Sequence, residues 1–174
     1  MLNFLQTIIQ FLHRQNISYM LSGSVALSIY TLPRATRDFD FIVNLRSTDV
    51  ESFLLTFKEG YYCDTDSVKK AIANQGMFNI IDHASGFKAD FMILKNEPFR
   101  QTEFERRIKI DFEGIPIYIV SVEDLLLSKL IWIQQLQSPI QTQDIKNLAI
   151  VENLDWEYIR TWLNTLKLNT FGLF

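Results

Sequence analysis

Several things are scarce in this chain, and each scarcity excludes a class of protein. One cysteine, Cys63, in 174 residues leaves no partner for an intramolecular disulfide and no thiol set for a metal. The two histidines, His13 and His83, stand at a helix end and in a turn, without metal-ligand spacing. No apolar run approaches the ~18 residues that a bilayer-spanning helix needs. The segment MLNFLQTIIQFLHRQN has neither the basic-then-apolar layout nor the small-residue cleavage site of a secretory leader. The expectation is a soluble, cytoplasmic protein with no membrane association. A net charge of -3 supplies no overall basic field, so any RNA or DNA contact would have to rest on a local patch. Internal repeats, low-complexity tracts and Gly/Ser/Pro-rich linkers are absent from the sequence, which argues against solenoids and tethered domains.

What is plentiful is core material. Apolar residues make up 48% of the chain, with 14 phenylalanines, enough for one domain spanning 1–174. Apolar positions 2, 5, 9 and 12 predict a helix over 2–14, and SYMLS predicts a short strand over 18–22. Gly23-Ser24 turns the chain into a helix through Tyr30, which Pro33 ends because the residue before proline avoids helical geometry. FDFIVN (39–44) reads as a strand, 49–58 as a helix and 66–74 as a polar helix. MFNIID (77–82) and FKADFMIL (87–94) form a hairpin around HASG, and strands 107–112 and 115–120 flank the turn Glu113-Gly114. From Ser121 the pattern is helical, over 122–136, 141–152 and 156–168, the last capped by Asp155. The fold class expected is α/β or α+β, a mixed sheet over 1–120 backed by helices, with a C-terminal helical layer over 121–174.

Chemistry concentrates in LSGSVALSIYTLPRATRDFDFIV, residues 21–43. Side chains alternate along a strand, so Asp38 and Asp40 share one face while Phe39, Phe41 and Val43 take the core face. Neighbouring carboxylates repel, and burial raises the pKa of one unless a cation intervenes. Arg34 or Arg37 at a solvated strand end is one remedy; a hard divalent ion such as Mg²⁺, completed by substrate phosphates, is another. Gly23-Ser24 opens a helix where backbone N–H groups and the positive helix end suit phosphate, although Ser24 also suits a plain helix cap. Asp90 shares a strand face with Lys88, Met92 and Leu94, as a structural acid, a partner of Lys88 or a third ligand. Three carboxylates and a Gly-Ser turn together suit two Mg²⁺ ions and a triphosphate, an arrangement that activates a hydroxyl and stabilises leaving pyrophosphate. Lys129 lies on the apolar stripe of helix 122–136 with Val122, Leu125, Leu126, Trp132, Ile133 and Leu136. It must reach solvent, pair with an acid such as Asp144, or meet an anionic ligand. Lys88 either screens the acids or contacts nucleotide, and Arg34 and Arg37 either balance charge or touch phosphate. Trp132, Trp156 and Trp162 read as core residues of amphipathic helices.

The stretch resembles the signature of the nucleotidyltransferase-fold superfamily that includes DNA polymerase β: a Gly-Ser, an Asp-x-Asp strand and a third acid on a neighbouring strand. YMLSGSVALSIY, PRATRDFDFIV, MFNIID…GFKADF, SVEDLLLSKLIW, QTQDIKNL and LDWEYIRTWL fall in the order found in small bacterial and archaeal proteins related to AbiEii-like toxins. The resemblance implies catalytic, metal-binding roles for Asp38, Asp40 and Asp90, with two Mg²⁺ ions, or Mn²⁺ instead. It implies phosphate contacts at Gly23 and Ser24. Lys129 and Asp144 match positions that line the nucleotide site in such relatives, though the basic residues that often precede the latter are Gln141 and Gln143 here. Arg37 and Lys88 join the nucleotide-binding set. The implied activity is transfer of NMP from an NTP, ATP among them, to a hydroxyl of RNA or tRNA, a protein or a small molecule. A role as toxin or antitoxin, with a cognate partner, is a variant of that activity. A catalytically inactive module binding nucleotide or a partner through the same fold is the alternative.

Overall fold

A computed structural model describes residues 2–33 and 35–174. Amphipathic spacing makes α1, Leu2–Arg14, which buries Phe4, Leu5, Ile8, Ile9, Phe11 and Leu12 and ends on His13 and Arg14, the arginine being a cation suited to a helix C-terminus. Then follow β1 (Tyr19–Ser22), α2 (Gly23–Tyr30), β2 (Asp38–Val43), a 3-10 turn (Ser47–Asp49), α3 (Val50–Thr56), β3 (Tyr61–Cys63) and α4 (Thr65–Asn74). The chain continues through β4 (Met77–Asp82), β5 (Lys88–Ile93), α5 (Pro98–Glu105), β6 (Ile108–Phe112), β7 (Ile115–Ile119), α6 (Val122–Ile133), α7 (Pro139–Ala149) and α8 (Trp156–Thr165).

One mixed sheet has the order β3-β4-β5-β2-β1-β7-β6. β2 runs parallel to β5 and antiparallel to β1. One face carries Tyr19, Leu21, Phe39, Phe41, Val43, Phe78, Ile80 and Phe91, packed under α1, α3 and α4. Stacked rings, such as Phe41 on Phe91 at 5.3 Å and Phe91 on Phe78 at 5.1 Å, tie three adjacent strands together. Beneath the other face, Met20 and Val120 join Ala26 and Leu27 of α2 and the buried side chains of α5 to α8. This is the expected mixed α/β sheet with C-terminal helices.

Two elements escape the sequence pattern. β3 is a three-residue edge strand paired to β4, too short for alternation to declare it. α5 starts with Pro98 at its first turn and is mostly polar outside Phe99 and Phe104. The helix expected over 49–58 is divided into the 3-10 turn and α3. α6 stops at Ile133, so Leu136 lies beyond it, exposed. Trp132 is also a correction: it is 67% exposed, because α6 buries Leu125, Leu126, Leu127, Leu130 and Ile133 and turns position 132 outward. Trp156 and Trp162 do pack against the helical core.

Buried charge locks α5 to α6 and α8. Asp124, fully buried, accepts from Arg106 Nε at 3.0 Å, Ser121 Oγ at 2.6 Å and Tyr158 Oη at 2.5 Å. Glu123 accepts from Arg106 Nη2 and from the Asp155 N–H, each at 3.3 Å. Glu103 accepts from Arg100 Nη1 at 2.8 Å and from Ser128. Burial pushes its carboxyl pKa up, against the pull of Arg100.

Candidate active site

β1 is buried along its whole length and passes without a loop into α2. The junction is Gly23, whose φ of +62° lies in the left-handed region. A Cβ there would stand 1.9 Å from Asp40 Oδ2 and 2.8 Å from Asp40 Cβ. Glycine is therefore required twice, by the turn and by the close approach of Asp40. The Ser24 backbone N–H donates to the Asp40 carboxylate, so this acid sits against the start of α2, where the helix dipole favours negative charge.

Register does the rest. Ser22 faces Asp40, Asp40 faces Asp90, and Asp90 faces Asn79, forming one row across four strands. The next row runs Asp38, Lys88, Ile81, Tyr62. Pairing partners project to the same face, so Asp38, Asp40, Asp90 and Lys88 share one patch. Lys88 Nζ lies 2.8 Å from Asp90 Oδ2 and 3.7 Å from Asp38 Oδ1. Its pKa is raised chiefly by the hydrogen bond to Asp90. Burial pushes the Asp40 carboxyl up, Asp90 and Asp38 push further, and the Ser24 N–H and Lys129 pull back. Asp90 Oδ1 is buried with no hydrogen-bond partner among the described residues.

The sequence candidates thus fall into two groups. Gly23, Ser24, Asp38, Asp40, Lys88 and Asp90 converge on one patch. Lys129 and Asp144 form a buried ion pair between α6 and α7, 2.8 Å apart, with Gln141 Oε1 accepting from Lys129 at 3.4 Å. That answers how the stripe lysine is accommodated, while its charge is still felt at Asp40. Arg37 is exposed just before β2, its carbonyl accepting the Lys88 N–H at 2.9 Å. Arg34 lies outside the described residues. His13 Nε2 hydrogen-bonds Tyr19 Oη at 3.2 Å, away from the acids. Sequence reasoning missed Asn79, the neighbour of Asp90 in the row; the signal was a lone amide on one face of MFNIID.

Among the described residues, no three His, Cys, Asp or Glu side chains close on a single ion position; the Lys88 ammonium lies among the acids. A hard divalent cation nevertheless fits the donor set, which is all carboxylate oxygen, exceeds its one ammonium in charge, and includes the orphaned Asp90 Oδ1. Past Asp90 the acid-bearing face is open toward the edge: Tyr62 and Met77 are 52% and 59% exposed, since α4 packs on the opposite face.

Comparison with known proteins places the fold and the family. Residues 2–170 match the family described as "Nucleotidyltransferase of unknown function (DUF6036)". No curated protein matches the chain in sequence. Among solved structures, a lincomycin-bound lincosamide antibiotic adenylyltransferase, LnuA, superposes with a TM-score of 0.56 at 16% identity, covering 84% of this chain and 94% of its own. The antibiotic-resistance factor ANT(2'')-Ia in solution gives 0.65 at 10% identity, covering 95% and 90%. An antigenic nucleotidyltransferase-like protein from Paracoccidioides brasiliensis gives 0.55 at 16%, covering 91% and 83%. At such identities these likenesses show the fold. The family match spans nearly the whole chain, and the chain belongs to that nucleotidyltransferase family.

Proposed function

We propose that this nucleotidyltransferase moves a nucleoside monophosphate from an NTP, ATP first among them, to a hydroxyl of a small organic acceptor, releasing pyrophosphate. One observation carries the reading: Asp40 and Asp90 stand side by side on parallel β2 and β5, with the Gly23-Ser24 turn pressed against Asp40. In the step, the acceptor oxygen bonds to the α-phosphorus as the bond from that phosphorus to the β-phosphate bridge breaks. Asp90 takes the hydroxyl proton, and pyrophosphate carries off the bonding electrons. Asp38, Asp40 and Asp90 would hold a divalent metal, Mg²⁺ or Mn²⁺, which would neutralise phosphate charge and favour ionisation of the hydroxyl. Gly23 and Ser24 approach the phosphates through the backbone, where the first turn of α2 favours anions. Lys129, held by Asp144, adds positive potential from behind, and Arg37 stands at the solvent side.

Two observations support a small acceptor. The open surface beyond Asp90 presents Asn79, Ile81, Met77 and Tyr62, and these described residues offer a polynucleotide no basic side chain. The fold is also that of LnuA, a lincosamide adenylyltransferase, and of ANT(2'')-Ia, which has been captured with adenylyl-2''-tobramycin. The test is incubation with α-³²P-labelled ATP, Mg²⁺ and three acceptor classes: lincomycin and tobramycin, bulk tRNA, and protein. Label on a small acceptor, lost in Asp40→Asn, is expected. Nucleotide binding by calorimetry without pyrophosphate release on any acceptor would make the chain a binding module instead.

A further inference from the structure

Lys88 has a place in the acid cluster that the transfer step does not use. It lies on β5 two residues before Asp90, on the same face, and opposite Asp38 in register. Its ammonium contacts Asp90 Oδ2 at 2.8 Å and Asp38 Oδ1 at 3.7 Å. These are oxygens that a divalent ion between β2 and β5 would need. Among the described residues, three carboxylates against the one Lys88 ammonium leave the patch short of positive charge, and Asp90 Oδ1 stays unpartnered with Lys88 in place. The ammonium is a single charge with three donors, so it relieves the repulsion without satisfying the donor set. The acids also do not close on one point, as expected of side chains arranged around a lysine head. Lys88 has solvent to swing into: its side chain is 35% exposed, against 12% for Asp90, and a four-carbon stem carries a compact charge where a planar guanidinium would be pinned.

We propose that Lys88 is the tethered counter-cation of this site: its ammonium and the divalent metal compete for Asp90 and Asp38, and the ammonium leaves as the metal enters. Lys88 is in this view a positioning residue. It keeps the acids from repelling each other before metal arrives, sets how much metal is needed, and after release adds a positive charge beside an incoming triphosphate. The inference rests on the metal-dependent reading above, and its test separates the two.

Mn²⁺ is titrated calorimetrically into metal-stripped protein without nucleotide, comparing the natural chain with Lys88→Met, which keeps the stem and removes the charge. Removing one positive charge a few ångströms from the ion is expected to tighten Mn²⁺ binding about tenfold or more. The same variant should unfold at lower temperature in EDTA and gain more from Mn²⁺ than the natural chain does. Lys88→Arg, whose fork pairs persistently with a carboxylate, should bind Mn²⁺ more weakly than the natural chain; it also serves if Lys88→Met does not fold. Equal or weaker Mn²⁺ binding by folded Lys88→Met, or undiminished binding by Lys88→Arg, overturns the competition while leaving the transfer reading standing. No Mn²⁺ binding by any of the three proteins overturns the metal-dependent reading itself.

Discussion

Two gatherings of acids lie in this molecule, and they are built to opposite ends. Around Asp124, each oxygen of Asp124, Glu123 and Glu103 accepts a hydrogen bond from an arginine, a hydroxyl or a backbone N–H. Arg106 adds a stacking contact, its guanidinium 3.9 Å from the centre of the Tyr158 ring. Around Asp40, one ammonium serves Asp90 and Asp38, and among the described residues a buried oxygen of Asp90 has no partner. Buried polar groups in proteins are nearly always satisfied, so the first cluster is what a structural network looks like. The second is incomplete by that measure. Of the two acid clusters, only the one around Asp124 has every oxygen partnered among the described residues.

The largest expected effect bears on the incomplete cluster. Asp90→Asn should cut label transfer by about 10²–10⁴-fold, the range of a lost general base, with the circular dichroism spectrum unchanged. Transfer at the natural rate would erase the functional side of the contrast. In the complete cluster, Asp124→Ala strands Arg106, Ser121 and Tyr158 and should cost about 3–5 kcal/mol of stability in a urea titration. A variant as stable as the natural chain would mean the network is decorative.

Gly23→Ala tests the junction of scaffold and site. The left-handed φ costs about 1–2 kcal/mol, and the new methyl must displace Asp40. A modest drop in unfolding temperature should therefore accompany loss of transfer, and full activity would show that Asp40 does not depend on its position against the turn.

Asp40→Asn sharpens the comparison through pH. The folded pKa of Asp40 is raised by burial and by Asp90, so the folded state holds the proton more tightly than the unfolded chain. Stability then falls as pH rises from the ordinary carboxylate value through the raised one, and stays lower above it. In metal-free protein, Asp40→Asn should remove that fall and raise the unfolding temperature at neutral pH by about 2–4 °C per kcal/mol regained. A lower unfolding temperature at neutral pH would contradict the electrostatic account. Smallest is Tyr62→Ala on the open surface. It should raise the KM for the acceptor severalfold and leave the KM for ATP unchanged; an effect on ATP alone would move the acceptor elsewhere.

Much of the site was legible in the sequence because its signals are local. DFDFIV declares its faces by alternation, Gly23-Ser24 declares a strand-to-helix turn, and Lys129 on an apolar stripe demanded a partner, which Asp144 supplies. The illegible parts were those that depend on distant chain. Trp132 looked buried because its spacing fits a stripe, yet the helices that pack on α6 leave that side bare. β3 and α5 are too short or too polar to show a period, and are held by what they pack against. That Lys88 also reaches Asp38 follows only from the register of β5 on β2.

The sequence by itself determined which side chains share a strand face, where the chain must turn and which chemistry its acids suit. Backbone geometry imposes a two-residue period on any strand, and a left-handed turn selects glycine, whatever the rest of the chain does. Tertiary structure alone decided that Asp90 stands beside Asp40, that Lys88 lies between the acids and that the face past Asp90 is open. Those facts rest on parallel pairing of β2 with β5 across a long intervening segment. That pairing is set by burying Phe39, Phe41, Phe78 and Phe91 together, a sum over the whole core that no short stretch contains.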